Sequence, residues 1–366
     1  MRKIVILSNE IGIIYKFRYE LLKELVKNNN VFLLSPRTEG QEFFLSEILK
    51  LKIKYIEIKL DRRTYNPFQE IVILKQYYKI LKQINPDKIL TYTIKPNIYG
   101  GIVSQILNLK YIPTVTGIGT AFQNEGILKK IVIFLNKLAL RKVEKIFFQN
   151  STNLGVYLEN KIVKKEQCQL VNGSGVNLEK FEYDTKIKDE PLKILFIGRI
   201  MKEKGIEEYL EVAKRLKKKY LDKIVFLILG QYEEENYRLK IEKLEKNGII
   251  EYLGISNDVR KEIVEVHCLV NPSWHEGMSN VLLEAGAMKR FLIASDISGC
   301  KEIVLDGKTG FTFEKQNIND LEEKIEKFIS LSEKEYEEYI EESYKHIKNN
   351  FSREKVIKEY LKIINE

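Results

Sequence analysis

The chain has 366 residues, of which 44% are hydrophobic and 31% charged, with 7 prolines and a formal net charge of +9. This composition supplies sizeable cores and excludes collagenous, mucin-like and wholly disordered chains, and at about 100 to 200 residues per domain it suits two domains. Three cysteines, Cys168, Cys268 and Cys300, without C-x-x-C spacing, exclude a disulfide framework and a zinc knuckle and fit a reducing cytoplasm.

In chain order, Lys3 to Leu7 (KIVIL) predicts a short strand that meets polar Ser8 and Asn9 too early for a signal-peptide core. No apolar run approaches the roughly 18 residues of a membrane span, so the expectation is a protein neither secreted nor integral. A loop containing Gly12 and a helical pattern from Arg18 to Lys27 follow, then strands at Val31 to Leu34 and Lys88 to Tyr92. Ile127 to Lys145 interleaves lysines and arginines with Ile131, Phe134, Leu135 and Leu138. Wound as a helix, it suits either a membrane interface or a sheet face.

A second opening of the same kind begins at Lys193 to Ile197 (KILFI), followed by a loop through Gly205 and a helix from Ile206 to about Lys219. Strands at Ile224 to Gly230 and Cys268 to Pro272 continue it, and Leu321 to Glu366 reads as two charged helices separated near Phe351 and Ser352. Strands alternating with helices twice over predict an α/β fold of two Rossmann-like α/β/α domains facing each other across a cleft. The expected divisions are 1–175, a linker at 175–190, 191–350, and a helix at 351–366 packing back toward the N-terminal domain.

Charge is uneven: residues 1–180 hold 29 Lys and Arg against 15 Asp and Glu, and residues 181–366 hold 32 against 37. Either lysines are spread over solvated faces, or the first half meets an anionic partner such as a membrane surface or nucleic acid.

Two stretches carry chemistry. In Asn271 to Met288 (NPSWHEGMSNVLLEAGAM), a strand ends, a glycine-containing loop follows, and Ser279 or Asn280 can cap a helix beginning near Val281. Amides and helix dipole there suit a diphosphate, while Glu276 and Glu284 can accept hydrogen bonds from sugar hydroxyls. Alternatively, Glu284 only complements the dipole and Glu276 is a loop carboxylate. In Gly198 to Gly205 (GRIMKEKG), a strand delivers Arg199 and a loop brings Lys204 round, a fork and a point charge able to neutralise a diphosphate leaving group.

G-R-x4-K-G, then E-x7-E, then S-G-C-K-E-I-V-L-D-G-K-T-G-F, resembles the C-terminal half of the family 4 retaining glycosyltransferases of the GT-B fold. I-Y-K-F-R at 14 to 18, N-P-F at 66 to 68, T-Y-T-I-K-P-N-I-Y-G-G at 91 to 101 and T-G-I-G at 116 to 119 are similar to the bacterial subgroup elongating undecaprenyl-diphosphate-linked sugars, N-acetylgalactosaminyltransferases among them. The resemblance implies that Arg199, Lys204 and Glu276 carry catalysis. Arg199 and Lys204, after Gly198, hold the donor diphosphate with the amides of Gly277, Met278, Ser279, Asn280 and Val281. Glu284 takes the ribose, Glu276 the donor sugar and the segment around Ile255 the base, and Gly12 lets its loop approach the diphosphate. The histidine many relatives carry in the N-terminal domain is missing, since His267, His275 and His346 all lie in the second half. Lys95, Asn97, Thr116 or backbone carbonyls of the T-G-I-G loop then take its place near the reacting carbon on the acceptor side, with Arg18 and Arg62 or Arg63 as candidate partners of the acceptor diphosphate, and His275 reads as a loop or donor-contact residue.

No Asp-x-Asp, Walker loop or G-x-G-x-x-G follows either opening strand, so no cofactor or metal is expected and leaving-group charge falls to cations and amides. The expectation is a cytoplasmic enzyme, peripheral on the inner face of the cell membrane. It moves an N-acetylhexosamine from a UDP-sugar donor to a lipid-linked saccharide acceptor in capsule or other surface-polysaccharide assembly, with an anionic membrane surface as partner and no nucleic acid. The alternative is a non-hydrolysing UDP-N-acetylglucosamine 2-epimerase.

Overall fold

The structure is a computed structural model that describes residues 1–61, 67–118, 126–182 and 188–366. The chain divides into two compact units, 1–174 with 356–366, and 175–355. Arg62, Arg63 and Gly119 lie outside the described residues.

The first unit runs β1 (Arg2–Leu7), α1 (Ile11–Asn28), β2 (Asn29–Ser35), α2 (Glu42–Leu49), β3 (Lys54–Glu57), α3 (Pro67–Ile84) and β4 (Lys88–Tyr92). A π-helical turn (Pro96–Gly100) leads into α4 (Gly101–Ile106), then β5 (Tyr111–Val115), α5 (Ile127–Leu140), β6 (Ile146–Phe148), α6 (Ser151–Glu159) and β7 (Cys168–Leu170). The strands form one parallel sheet in the order β3-β2-β1-β4-β5-β6-β7. β4 and β5 are buried along their whole length, as a sheet covered on both faces requires.

The second unit begins with β8 (Leu192–Ile197), α7 (Ile206–Tyr220), β9 (Ile224–Leu229), α8 (Asn236–Lys246), β10 (Glu251–Tyr252), α9 (Arg260–Ile263) and β11 (Cys268–Asn271). It ends with α10 (Asn280–Ala287), β12 (Phe291–Ser295), β13 (Phe311–Phe313), α11 (Ile318–Ser330) and α12 (Glu333–Asn350). Its sheet is parallel, in the order β10-β9-β8-β11-β12-β13. A final helix, α13 (Arg353–Asn365), sets Val356, Tyr360 and Ile364 into the core of the first unit against α1.

Two helix boundaries differ from the sequence reading. α1 starts at Ile11, not Arg18, so Gly12 lies in a helical first turn and not in an extended loop. Glu10 makes no side-chain cap there; the Gly12 amide donates instead to Gln41 Oε1 at 2.8 Å, so the helix start is supplied from 29 residues away. The C-terminal segment holds three helices rather than two. Ser332 and Glu335 form a reciprocal capping box that opens α12 directly behind α11.

Candidate active site

The carboxyl ends of β10, β9, β8 and β11 carry loops that hydrogen bonds lace into one rim. Gly230 N–H donates to Gly254 O at 2.8 Å, Gly198 N–H to Leu229 O at 3.0 Å and Ile200 N–H to Gln231 O at 2.8 Å. The rim continues to β11 through Trp274 N–H donating to Glu203 O at 2.9 Å. Four adjacent strand ends span about 14 Å at the usual strand spacing, a length suited to a nucleoside diphosphate.

Glycines make this lacing possible at two places. Gly205 has φ +73°, and a Cβ there would lie 2.1 Å from Pro272 O, so the loop after β8 touches the loop after β11 without space for a side chain. A Cβ on Gly230 would fall 1.8 Å from Gly198 O.

The two stretches singled out from sequence meet here. Lys204 Nζ lies 2.6 Å from Glu276 Oε1, with 21% and 16% of their side chains exposed, and Ser273 donates its hydroxyl to the same oxygen at 2.8 Å. Arg199, half exposed, reaches Glu233 at 3.3 Å. Trp274 Nε1 donates to Glu208 at 2.8 Å and Lys202 stands 5.7 Å from the indole centroid, which fixes the loop bearing Glu276. Ile255, exposed, tops the loop after β10. Glu284 sits half-buried in the second turn of α10.

Ser279 occupies the N-cap of α10 but does not cap it. Its hydroxyl accepts from Asn271 Nδ2 at 2.5 Å and its amide donates to Gly299 O at 2.9 Å. Asn280 therefore does not act as cap either, being the first helical residue, and its buried Oδ1 finds no hydrogen-bond partner among the described residues. A buried acceptor left unpaired at a helix start is costly and suits a ligand hydroxyl or N–H. Gly277 and buried Met278 pack under the 298–302 loop, where a Cβ on Gly299 would lie 2.9 Å from both Glu276 O and Gly277 O. Val281 follows on the first turn. Sequence reasoning missed this support: Asn271, Ser273, Trp274 and Gly299 lie in the quoted motifs without a role, and Glu208 lies outside them, until the loops are seen together.

The residues expected to serve an acceptor are placed differently. Arg18 is buried, with its guanidinium 4.7 Å from the Tyr92 ring and 5.2 Å from that of Tyr360, a bridge between α1 and α13 and not an acceptor-facing cation. Lys95 is buried and donates to Glu70 and to Asp61 O, both at 2.7 Å. Asn97 is buried too, accepting from Thr91 Oγ1 at 2.6 Å and donating to Thr114 O at 2.9 Å, so it pins the π-helical turn to β4 and β5. Thr116 alone of the described candidates stays partly exposed at a strand end.

The histidines divide similarly. His267 is buried, accepting from Lys193 N–H at 2.9 Å and facing Asp189 at 2.8 Å. His346 bonds Glu302 O at 2.9 Å and is half-buried. His275 is exposed beside Glu276; desolvation of its ring, and next Lys315, hold its pKa below the usual histidine value.

α5 packs Val132, Asn136, Ala139 and Leu140 inward and leaves Ile127, Leu128, Ile131 and Phe134 exposed, while Leu135 leans on the core. Among the described residues no helix is long and apolar enough to cross a membrane.

Known proteins bear on this geometry. Residues 179–346 match the glycosyl transferases group 1 family model and residues 3–150 the glycosyl transferase 4-like model. The chain is 29% identical over 345 residues to the N,N'-diacetylbacillosaminyl-diphospho-undecaprenol alpha-1,3-N-acetylgalactosaminyltransferase of Campylobacter jejuni, covering 88% of each. It is 24% identical to the capsular polysaccharide biosynthesis glycosyltransferase CapM of Staphylococcus aureus, over 93% of this chain and 98% of that one. Among solved structures, a Rickettsia africae glycosyltransferase superposes with a TM-score of 0.79 at 21% identity, covering 99% of this chain and 97% of that one. Anabaena HepE with UDP and glucose gives 0.81 at 12%, over all of both chains.

Proposed function

Because the chain is a glycosyltransferase of the GT-B fold, with a 4-like N-terminal half and a group 1 C-terminal half, we propose that it moves an N-acetylhexosamine, GalNAc or GlcNAc, from a UDP-sugar to a saccharide on undecaprenyl diphosphate. The transfer retains anomeric configuration, needs no metal and serves surface polysaccharide or glycan assembly. The observation that carries this reading is the likeness to the Campylobacter enzyme over 88% of both chains. Both family matches are to glycosyltransferases, so the epimerase alternative is set aside.

In this reading the donor lies along the rim, with its base at Ile255, its ribose at Glu284 and its diphosphate at Arg199, Lys204 and the amides near Asn280. A diphosphate competes with Glu276 for the Lys204 ammonium, which lies 2.6 Å from that carboxylate. Glu276 so released accepts from the donor sugar hydroxyls. The acceptor oxygen bonds to C1 on the face the diphosphate leaves, the C1–O bond to phosphate breaks, and the acceptor proton passes to the departing phosphate oxygen. Negative charge grows on that oxygen, where fixed cations and amides stabilise it. We place the enzyme on the inner face of the cell membrane, with α5 docking through its exposed apolar residues and its lysines.

The test incubates the protein with a panel of UDP-sugars and an undecaprenyl-diphosphate-linked acceptor, with and without EDTA, and reads the anomer by NMR. An α-linked N-acetylhexosamine, formed equally with the chelator, is expected. A β-linked product, or loss of transfer restored by Mg2+, overturns the mechanism.

A further inference from the structure

Glu208, in the first turn of α7, is a carboxylate only 5% exposed, and its Oε1 accepts from Trp274 Nε1 at 2.8 Å. Its Oε2 is buried too and accepts no hydrogen bond among the described residues. A carboxylate taken out of water with half its acceptor capacity unused is costly. The positive end of the α7 dipole offsets part of that cost. Glu207, in the same turn and less buried, already meets the dipole, so the dipole gives no reason to bury a second carboxylate. What Glu208 holds is the indole.

Trp274 is gripped a second time along its backbone, where its N–H donates to Glu203 O at 2.9 Å, and Lys202 stands 5.7 Å from the indole centroid. Both grips fall beside donor-site residues: Lys204 follows Glu203 directly, and only His275 separates Trp274 from Glu276. Next to Lys204, Gly205 packs against Pro272 O with no space for a Cβ. The loops after β8 and β11 are thus closed on each other at Gly205 and at Trp274, with the Lys204–Glu276 pair of 2.6 Å joined to both contacts. The Gly205 contact is backbone packing, whereas the Trp274 contact depends on a side-chain bond that a substitution can remove.

In the donor site described above, a diphosphate takes Lys204 from Glu276, so this carboxylate loses its ion-pair partner at the moment the sugar hydroxyls need it in place. Ser273 donates to the same carboxylate oxygen at 2.8 Å and neighbours Trp274, so whatever steadies the indole steadies that bond as well. We propose that Glu208 and Trp274 are positioning residues for transfer: the indole, tied to α7, keeps the loop bearing Ser273 and Glu276 at a fixed distance from Lys204 while the ion pair is exchanged for diphosphate and sugar. A displacement of about 1 Å in such a placement costs on the order of a hundredfold in rate. This role rests on the donor-site reading of Lys204 and Glu276 and extends it to two residues that touch no substrate.

The test compares Glu208→Leu, Glu208→Gln and Trp274→Phe in the full chain, with Lys204→Ala alongside, by turnover of a UDP-N-acetylhexosamine donor, inhibition by UDP and thermal melting. Leu removes the acceptor, Gln keeps one, and Phe keeps a ring without the N–H. Glu208→Leu and Trp274→Phe should lower kcat at least about tenfold. The Ki of UDP should move less than about threefold, because Arg199 and the rim amides lie outside the clamp, and Glu208→Gln should bring kcat back to within about threefold of wild type. Trp274 is the single tryptophan of the chain, so acrylamide quenching of its emission reads the clamp directly. Quenching should rise in Glu208→Leu and not in Glu208→Gln. Folded Glu208→Leu and Trp274→Phe proteins with wild-type kcat, beside an impaired Lys204→Ala, overturn the clamp and leave the donor site standing. Full turnover by Lys204→Ala overturns the donor-site reading and the clamp's role with it. A loss of kcat in Glu208→Leu that follows the unfolded fraction, or that Glu208→Gln shares in full, also overturns the proposal, since packing alone then accounts for it.

Discussion

Two lysine–glutamate pairs of nearly the same geometry lie in the two halves of the molecule. Lys204 meets Glu276 at 2.6 Å in the second unit and Lys95 meets Glu70 at 2.7 Å in the first. Both lysines follow a β-strand and both were candidates from sequence. What separates them is their surroundings. Lys204 and Glu276 sit on a rim of laced strand-end loops that also carries exposed Arg199. Lys95 spends a further bond on Asp61 O, and its neighbour Asn97 is spent on Thr91 and Thr114. A charge near a strand end becomes a candidate for catalysis when the fold does not need its bonds.

The sharpest way to break this comparison is truncation on the rim. Lys204→Ala or Arg199→Ala should lower kcat by on the order of a hundredfold or more, because the lost cation faces charge that grows as the sugar bond breaks. Thermal stability should hardly move. Steady-state kinetics beside a melting curve checks it, and full turnover by the double variant would remove both residues from the mechanism.

The converse holds in the first unit. Asn97→Ala takes the side-chain donor from the buried Thr114 carbonyl and leaves the Thr91 hydroxyl only its longer contact with the Tyr111 hydroxyl, at a cost of about 2 kcal/mol. Denaturant unfolding should show that loss while kcat per folded molecule stays within a factor of about two. A hundredfold fall in kcat with unchanged stability would place Asn97 among the groups that touch substrate.

His275 offers the smallest effect. Its pKa lies below the usual 6.5 because the fold desolvates the ring and sets Lys315 near it. As pH falls below 6.5 the unfolded chain takes up this proton before the folded chain does, so stability declines until the folded pKa is passed. His275→Gln should flatten the dependence of Tm on pH in that window and leave kcat near pH 7 unchanged. An unaltered slope would show that the ring does not contribute to it.

Much of the second unit is legible in the linear chain. Leu192–Ile197 and Ile206–Tyr220 follow from apolar period and a glycine, and the loops bearing Arg199, Lys204 and Glu276 after β8 and β11 are equally legible, being short connections that follow their strands. The capping box at Ser332 was equally local and shows that a continuous charged pattern can hide a helix boundary.

Local pattern therefore determined the two α/β units, the parallel strands and the charged loops after β8 and β11, since alternation, periodicity and short connections act over a few residues. Tertiary structure alone decided which charges remain available. Arg18 reads as a surface cation until α13 returns to place Tyr360 beside it, 342 positions later in the chain. Gly12 reads as a loop glycine until Gln41 supplies the missing helix cap. Desolvation and hydrogen-bond satisfaction depend on what lies across the fold, and no spacing along the chain encodes that.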